Sequence, residues 1–237
     1  MKKENGFTLV ELLVTLLVGG IMMAAIYGAI NAAQRSSTGI ERRVVAQQDA
    51  RVALELMAME LRMASLNPNS MGNVWVDAAS CSGAAANQTA KGIQEATANS
   101  IAIEMDISGS SVPGYPADGV IDDPNEIIRY TYNASNKMVT RSTSCGPNQP
   151  FLGATNAASN TKTVFVENSA AGVPLFRYYD GSGAQLAAPV ANLQDIRMIE
   201  ITLVVDMQHG DLGTGERRRV IYSTSVIPRN HVPTPTY

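Results

Sequence analysis

Apolar residues dominate the first thirty positions of the chain and then give way to a mixed pattern. Between Phe7 and Ile30 the only charged residue is Glu11, and this run of 24 residues is long enough to cross a bilayer as a helix. Lys2 and Lys3 precede the run, and basic residues favour the cytoplasmic side of a membrane. The pattern therefore predicts one transmembrane helix, with the rest of the chain outside the cytoplasm.

A second helical pattern follows, in which apolar residues recur at helical spacing up to Leu66. The first proline of the chain is Pro68, and the residue before a proline is pushed out of the α-helical region. We therefore predict one helix over residues 7–66, with its second half packed on a globular domain. The apolar residues of this half form one face of the helix, which comprises Val45, Val52, Leu56, Met59, Met63 and Leu66. The alternative to core packing is that this face binds a partner.

Beyond Pro68 the chain changes to short stretches in which apolar and polar residues alternate, as in half-buried strands. Residues 199–207 and 220–226 alternate most clearly, and they predict an antiparallel hairpin at the centre of a sheet. One helix followed by many strands predicts an α+β fold, in which the helix packs on an antiparallel sheet. Further strands are expected within residues 101–107, 126–132, 137–141, 163–168 and 175–180, and a long loop within residues 69–100.

Composition and charge narrow the possible functions. The chain has 237 residues and a net charge of −3, and its basic residues do not cluster as a nucleic-acid surface requires. The two histidines, His209 and His231, are expected to be solvated, and the sequence has no nucleophile or phosphate-loop motif. We therefore expect no enzyme activity, no cofactor and no nucleic-acid partner. The predicted parts are residues 7–30 and 31–66 of the helix, a β-rich domain over 67–228 and a proline-rich tail over 229–237.

The chain has two cysteines, Cys81 and Cys145, which lie far apart in the sequence. Neither belongs to a metal or haem motif. In a domain outside the cytoplasm we expect a disulfide between them, which would stabilise the fold by about 4 kcal/mol. Two separate buried thiols are the alternative.

Four acidic residues lie close together in the sequence: Asp118, Asp122, Asp123 and Glu126. Carboxylate oxygens are suitable ligands for Ca²⁺, but the spacing is not that of an EF-hand loop. Asp–Gly and Asp–Pro pairs are also typical of ordinary turns. A turn is therefore the preferred interpretation, and a Ca²⁺ site is the weaker candidate.

The N-terminus has three interpretations, and they differ in the role they give Glu11. Inserting a charged side chain at membrane depth costs about 2.5–3.5 kcal/mol of free energy, so such a residue marks a functional site. A cleaved secretory signal needs small residues spaced by two after the apolar core, and the alanines here lack that spacing. An uncleaved signal anchor explains the length and the lysines but gives Glu11 no role. The third interpretation takes residues 6–14, GFTLVELLV, as a unit.

The segment from Gly6 to Leu13 resembles the type III signal of type IV pilins and of type II secretion pseudopilins. In that family a prepilin peptidase cuts after the glycine, and the new N-terminal residue is methylated. The resemblance implies a leader over residues 1–6, cleavage between Gly6 and Phe7, and methylation of Phe7. It also implies that Glu11 pairs with the N-terminal amine of a neighbouring subunit and sets the register of a filament.

Beyond this segment, the size and element order resemble the large minor pilins of PilW type and the related J-type pseudopilins. The resemblance implies a minor pilin that joins other minor and major pilins in the priming or tip complex of a type IV pilus. It also implies a place in the inner membrane with the body in the periplasm, and later on the pilus or cell surface. A J-type pseudopilin is the alternative, and a single-pass anchored protein with an uncleaved signal is a further one.

Overall fold

The computed structural model describes residues 8–109, 116–156, 161–162, 164–207 and 219–232. The chain divides into two compact units, Met1–Val44 and Val45–Tyr237. The predicted cleavage site at Gly6 and Phe7 lies outside the described residues, as do His209 and residues 233–237 of the predicted tail.

The first element is one α-helix, α1, from Leu9 to Met63, which ends before the predicted Leu66. Ser65 has a φ of 65°, a left-handed conformation that an α-helix cannot continue through. The Ser65 N–H donates a hydrogen bond of 2.8 Å to the carbonyl oxygen of Glu104. Contacts with residues distant in the sequence therefore end the helix, before the local signal at Pro68 can act.

The second half of α1 packs on the sheets with a different face from the one predicted. Val45, Val52 and Met59 are 47%, 62% and 50% exposed, so the predicted core face is wrong for these three residues. The buried face lies roughly 150° around the helix and is rich in alanine, whose small side chain lets a helix and a sheet approach closely. It comprises Ala46, Ala50, Ala53, Leu54, Met57, Ala58, Leu61 and Ala64.

The first sheet has five antiparallel strands in sequential order. They are β1 (Ile93–Ala96), β2 (Ser100–Glu104), β3 (Ile127–Asn133), β4 (Met138–Thr143) and β5 (Gln149–Leu152). The predicted hairpin at residues 133–136 is confirmed, because Asn133 pairs with Met138 across the turn. β1 lies where a loop was predicted, because its four residues carry too little alternation to distinguish a strand from a loop.

A second five-stranded antiparallel sheet follows a two-stranded one, whereas a single sheet was predicted. The predicted late hairpin exists as β11 (Met198–Met207) and β12 (Arg219–Val226). The other strands are β6 (Thr155–Asn156), β7 (Thr161–Lys162), β8 (Val164–Val166), β9 (Phe176–Tyr179) and β10 (Gln185–Leu186). β11 is central, but β12 is the last of the described strands in the order β10-β9-β11-β12. β8 pairs with the far end of β11.

One apolar core joins the second half of α1 to both five-stranded sheets. Met57 and Leu61 enter it from the helix, Tyr130 from the first sheet, and Phe176 and Tyr178 from the second. A short 3-10 helix at Gln88–Ala90 precedes β1, and another at Leu193–Asp195 lies between β10 and β11. The fold is therefore α+β and pilin-like, with one long N-terminal helix and antiparallel sheets, as the sequence predicted.

Candidate functional site

The N-terminus of α1 is closed by a reciprocal pair of hydrogen bonds between Thr8 and Glu11. The Thr8 N–H donates to Glu11 Oε2 at 3.0 Å, and the Glu11 N–H donates to Thr8 Oγ1 at 3.3 Å. This is a capping box, which satisfies N–H groups that a helix start leaves without partners. The spacing Thr-x-x-Glu is its sequence signal, so this role of Glu11 could have been predicted from the sequence.

The first part of α1 is apolar and exposed. Every residue from Leu9 to Ile30 is exposed, and Glu11 is the only charged residue among them. By length and composition, α1 is the one described helix that is long and apolar enough to cross a membrane. A solvated surface of this kind is unfavourable in water, so this half of the helix needs lipid or protein around it.

Val45, Val52 and Met59 form an exposed apolar stripe on the second half of α1, and we call it the outer stripe. Its residues are spaced by seven, which places them on one side of the helix. Leu56 and Met63 border the outer stripe and are half-buried. The helix thus has two apolar faces: the alanine-rich one packs on the sheets, and the outer stripe is free in the described structure.

A buried polar cluster fixes the second half of α1 to the first sheet. Glu60 is buried, and its carboxylate accepts hydrogen bonds from Arg141 Nη2 at 2.7 Å and Arg141 Nε at 3.2 Å. The Tyr130 hydroxyl donates a third hydrogen bond to Glu60. Burial and the neighbouring Glu60 raise the pKa of Tyr130, so its hydroxyl stays protonated as the donor. No local sequence pattern predicts this cluster, because its residues lie far apart in the chain.

The structure joins Cys81 and Cys145 in a disulfide, as predicted for a domain outside the cytoplasm. Their Cα atoms are 5.8 Å apart, which is the usual separation for a disulfide. Cys81 follows the buried Trp75, and Cys145 follows β4, so the bond holds a long irregular segment against the first sheet. Arg129 on β3 supports the same segment by donating to the Ala78 carbonyl oxygen at 3.0 Å.

The structure brings three of the four predicted acidic residues together. One ligand oxygen each from Asp122, Asp123 and Glu126 lies within 4.8 Å of the others. Asp118 has a local role, since its Oδ1 accepts a hydrogen bond from the Val120 N–H at 3.0 Å. Burial is the main cause that raises the pKa of Glu126.

His231 is buried, so the prediction that it is solvated is wrong. Its Nε2 lies 2.9 Å from the Leu193 carbonyl oxygen, which can only accept, so Nε2 carries the proton. Nδ1 then accepts from the Ser65 hydroxyl at 2.8 Å, and Ser65 Oγ accepts from the Gly92 N–H at 3.0 Å. Burial lowers the pKa of His231 to about 4, and its imidazole is neutral at pH 7.

A family model described as the prokaryotic N-terminal methylation motif matches residues 1–27. The N-terminus carries a prepilin-type motif. It supports a type IV pilin-like protein and implies processing by a prepilin peptidase and interaction with other pilins. The match covers the helix start and most of its apolar half, and the β-rich part lies outside it. No curated protein and no solved structure gives a significant match to the chain.

Taken together, the motif and the exposed apolar helix fit an inner-membrane anchor with the body outside the cytoplasm. The intramolecular disulfide agrees with such a compartment. The motif is that of pilin-like proteins, whose role is structural.

Proposed function

We propose that this chain is a minor pilin that a prepilin peptidase processes and that takes part in type IV pilus assembly, in a priming or tip complex. The observation that carries the proposal is the prepilin-type motif over residues 1–27, which covers most of an apolar helical segment, Leu9–Ile30, whose residues are all exposed. An exposed helix of this kind requires lipid before assembly and other subunits afterwards. Residues 1–6 are the leader, and Phe7 becomes the methylated terminus.

The rest of the molecule has matching roles. Residues 7–30 lie in the inner membrane and later in the filament core, and residues 31–66 present the outer stripe to other pilins. Covering a half-exposed valine or methionine contributes about 1 kcal/mol, so the outer stripe supports a specific but modest contact. The β-rich domain, over residues 67–228, faces the periplasm and then the pilus or cell surface.

Intact-mass measurement of the mature protein tests the processing. We expect the mass to fall by residues 1–6 and to gain one methyl group, and a retained leader would refute the proposal. Gly6→Val should block the cut, because a branched side chain keeps the peptidase from the backbone. The matched control is Gly19→Val, since an added Cβ at Gly19 meets no atom within 4 Å.

The location of the protein then distinguishes a type IV pilus subunit from a type II secretion pseudopilin. A minor pilin should be found by immunogold labelling on sheared type IV pili, at or near their ends. A J-type pseudopilin should instead be required for type II secretion and be missing from sheared pili. The second outcome would overturn the pilus assignment while leaving the processing result valid.

Variants at Glu11 test the register role. We expect Glu11→Ala to be processed normally and to fail in filament assembly, because the N-terminal amine of the neighbour loses its partner. Glu11→Gln separates this role from the capping box, since glutamine also closes a capping box but carries no charge. Assembly of the Glu11→Gln variant at the native level would show that only the cap matters and would refute the charge pairing.

A further inference from the structure

The stretch between Lys91 and Arg129 is strongly acidic. It contains no lysine, arginine or histidine, and it contains seven acidic residues: Glu95, Glu104, Asp106, Asp118, Asp122, Asp123 and Glu126. A stretch of this kind has no cation of its own to compensate buried carboxylates.

Glu126 organises the part of this stretch where the carboxylates meet. Its Oε1 accepts hydrogen bonds from the N–H groups of Ile107 and Ser108, at 3.0 and 3.1 Å. Its Oε2 accepts from the N–H groups of Asp122 and Asp123, both at 3.0 Å. The chain beyond β2 and the turn before β3 are thereby held together, with Asp122 and Asp123 beside Glu126.

Two carboxylates at this place are buried and incompletely paired. Asp123 is 4% exposed, and its Oδ2 has no hydrogen-bond partner among the described residues. Asp106 is fully buried; its Oδ2 accepts from the Gly119 N–H at 3.0 Å, and its Oδ1 also has no partner in the described part of the chain. An oxygen that gives up water without gaining a partner costs about 1–3 kcal/mol, and more when it is charged.

The turn itself is firmly positioned. Its Asp123 carbonyl oxygen accepts from Ser144 Oγ at 3.2 Å, next to the disulfide of Cys145. On the other side, the Asn125 side chain accepts from Arg141 Nη2 at 3.3 Å, and Arg141 belongs to the Glu60 cluster. The free carboxylate oxygens are therefore fixed in place by the surrounding fold.

We propose that Asp122 and Asp123 bind one Ca²⁺, with the unpaired Oδ2 of Asp123 as a ligand, while Glu126, whose oxygens already accept four N–H groups, holds the two aspartates in place. Two oxygens bound to one Ca²⁺ lie at most about 5 Å apart, and one oxygen each of Asp122, Asp123 and Glu126 lies within 4.8 Å of the others. Ca²⁺ accepts irregular sets of oxygen ligands, whereas Mg²⁺ demands a regular octahedron. The ion offsets the acidic charge, and its binding links the turn before β3 to the calcium concentration outside the cell.

Calorimetric titration of CaCl₂ into the detergent-solubilised full chain tests the site. We expect saturable binding of one Ca²⁺, with a dissociation constant of roughly 10⁻⁴–10⁻³ M, as in extracellular modules. MgCl₂ should bind at least about tenfold more weakly. Absence of saturable Ca²⁺ binding would overturn the proposal, and so would equal binding of the two ions.

Three variants locate the binding. Asp123→Asn and Asp122→Asn should each weaken Ca²⁺ binding about tenfold or more, because each removes a charged ligand. Asp49→Asn is the matched control, an exposed aspartate on α1, and should bind like the parent chain. Asp122 is exposed, so its variant decides the matter if Asp123→Asn does not fold. Native affinity in Asp122→Asn would place any bound ion elsewhere and refute this site.

Discussion

Glu60 is a charged residue on the sheet-facing side of a helix, and its burial depends on its partners. Arg141 binds it through two nitrogens, and Tyr130 adds a neutral hydrogen bond. Charge-assisted pairs with two hydrogen bonds fix geometry as well as energy. The cluster therefore sets how the second half of α1 is placed along β4.

We expect Glu60→Gln to lower the free energy of unfolding by about 3 kcal/mol, because Arg141 then keeps a largely buried charge without its partner. Urea unfolding of the detergent-solubilised chain, followed by circular dichroism, measures the change. Glu55→Gln on the exposed side of the same helix is the control, with an expected change within about 0.5 kcal/mol. Similar losses in both variants would contradict the role of the cluster.

His231 makes the stability of the fold depend on pH. Its pKa falls from 6.5 to about 4 on folding, because the ring is buried and faces the positive charges of Arg197 and Lys91. The unfolded chain therefore binds the proton more tightly, and stability is lost as pH falls from about 6.5 to 4. The shift corresponds to at most about 3 kcal/mol.

Comparison with His231→Gln isolates this effect, since glutamine has no titratable group. The difference in unfolding free energy between the parent chain and the variant should be constant above about pH 7 and should shrink below pH 6.5. Chemical denaturation at a series of pH values measures it. A difference that stays the same down to pH 4 would show that His231 does not titrate in this range.

For single residues, the sequence predicts those whose partners follow from chemistry alone. The Cys81–Cys145 disulfide was predictable because paired cysteines are usual outside the cytoplasm. His231 was not, because its burial depends on Ser65 and Leu193, and no local pattern connects them. Glu60 was missed for the same reason.

The long helix shows how one element carries two apolar faces with different purposes. The prediction gave weight to bulky residues and selected Val45, Val52 and Met59, which are exposed. The true packing face is built on alanine, which contributes little apolar area but allows close packing against two sheets. The existence of the helix was thus predictable, whereas the face it buries was not.

Val52→Asp tests the purpose of the outer stripe. Since Val52 is exposed, we expect stability to change by no more than about 0.5 kcal/mol and incorporation into filaments to be lost. Ile227→Asp is a matched control, because Ile227 is 63% exposed and Val52 is 62% exposed. Immunoblots of sheared pili measure incorporation. Native incorporation of Val52→Asp would exclude the outer stripe from subunit contacts.

Two five-stranded sheets make up most of the described β-rich part, and their arrangement shows where local sequence patterns stop being informative. Most strands were predictable, because alternation is a property of a few neighbouring residues. The division into two sheets was not, because the partner of each strand edge depends on contacts across the chain. β12, predicted at the centre, is the last strand on its side among those described.

The disulfide contributes to the stability of this whole part. We expect the double variant Cys81→Ser/Cys145→Ser to lose about 2–5 kcal/mol of unfolding free energy, because the bond closes a loop between residues 64 apart in the sequence. Urea unfolding without reductant measures the loss. The parent chain in dithiothreitol should show the same loss, and an unchanged midpoint in both would contradict the prediction.

The hydrogen bond between Ser65 and His231 also affects the order of events while the chain is being synthesised. These residues are 166 positions apart, and a ribosome adds about 5–20 residues per second. The end of the helix therefore waits roughly 10–30 s after synthesis of Ser65 before its buried partner exists. During that interval the Ser65 hydroxyl must bond to water or to a chaperone, so a segment made late completes the end of a helix made early.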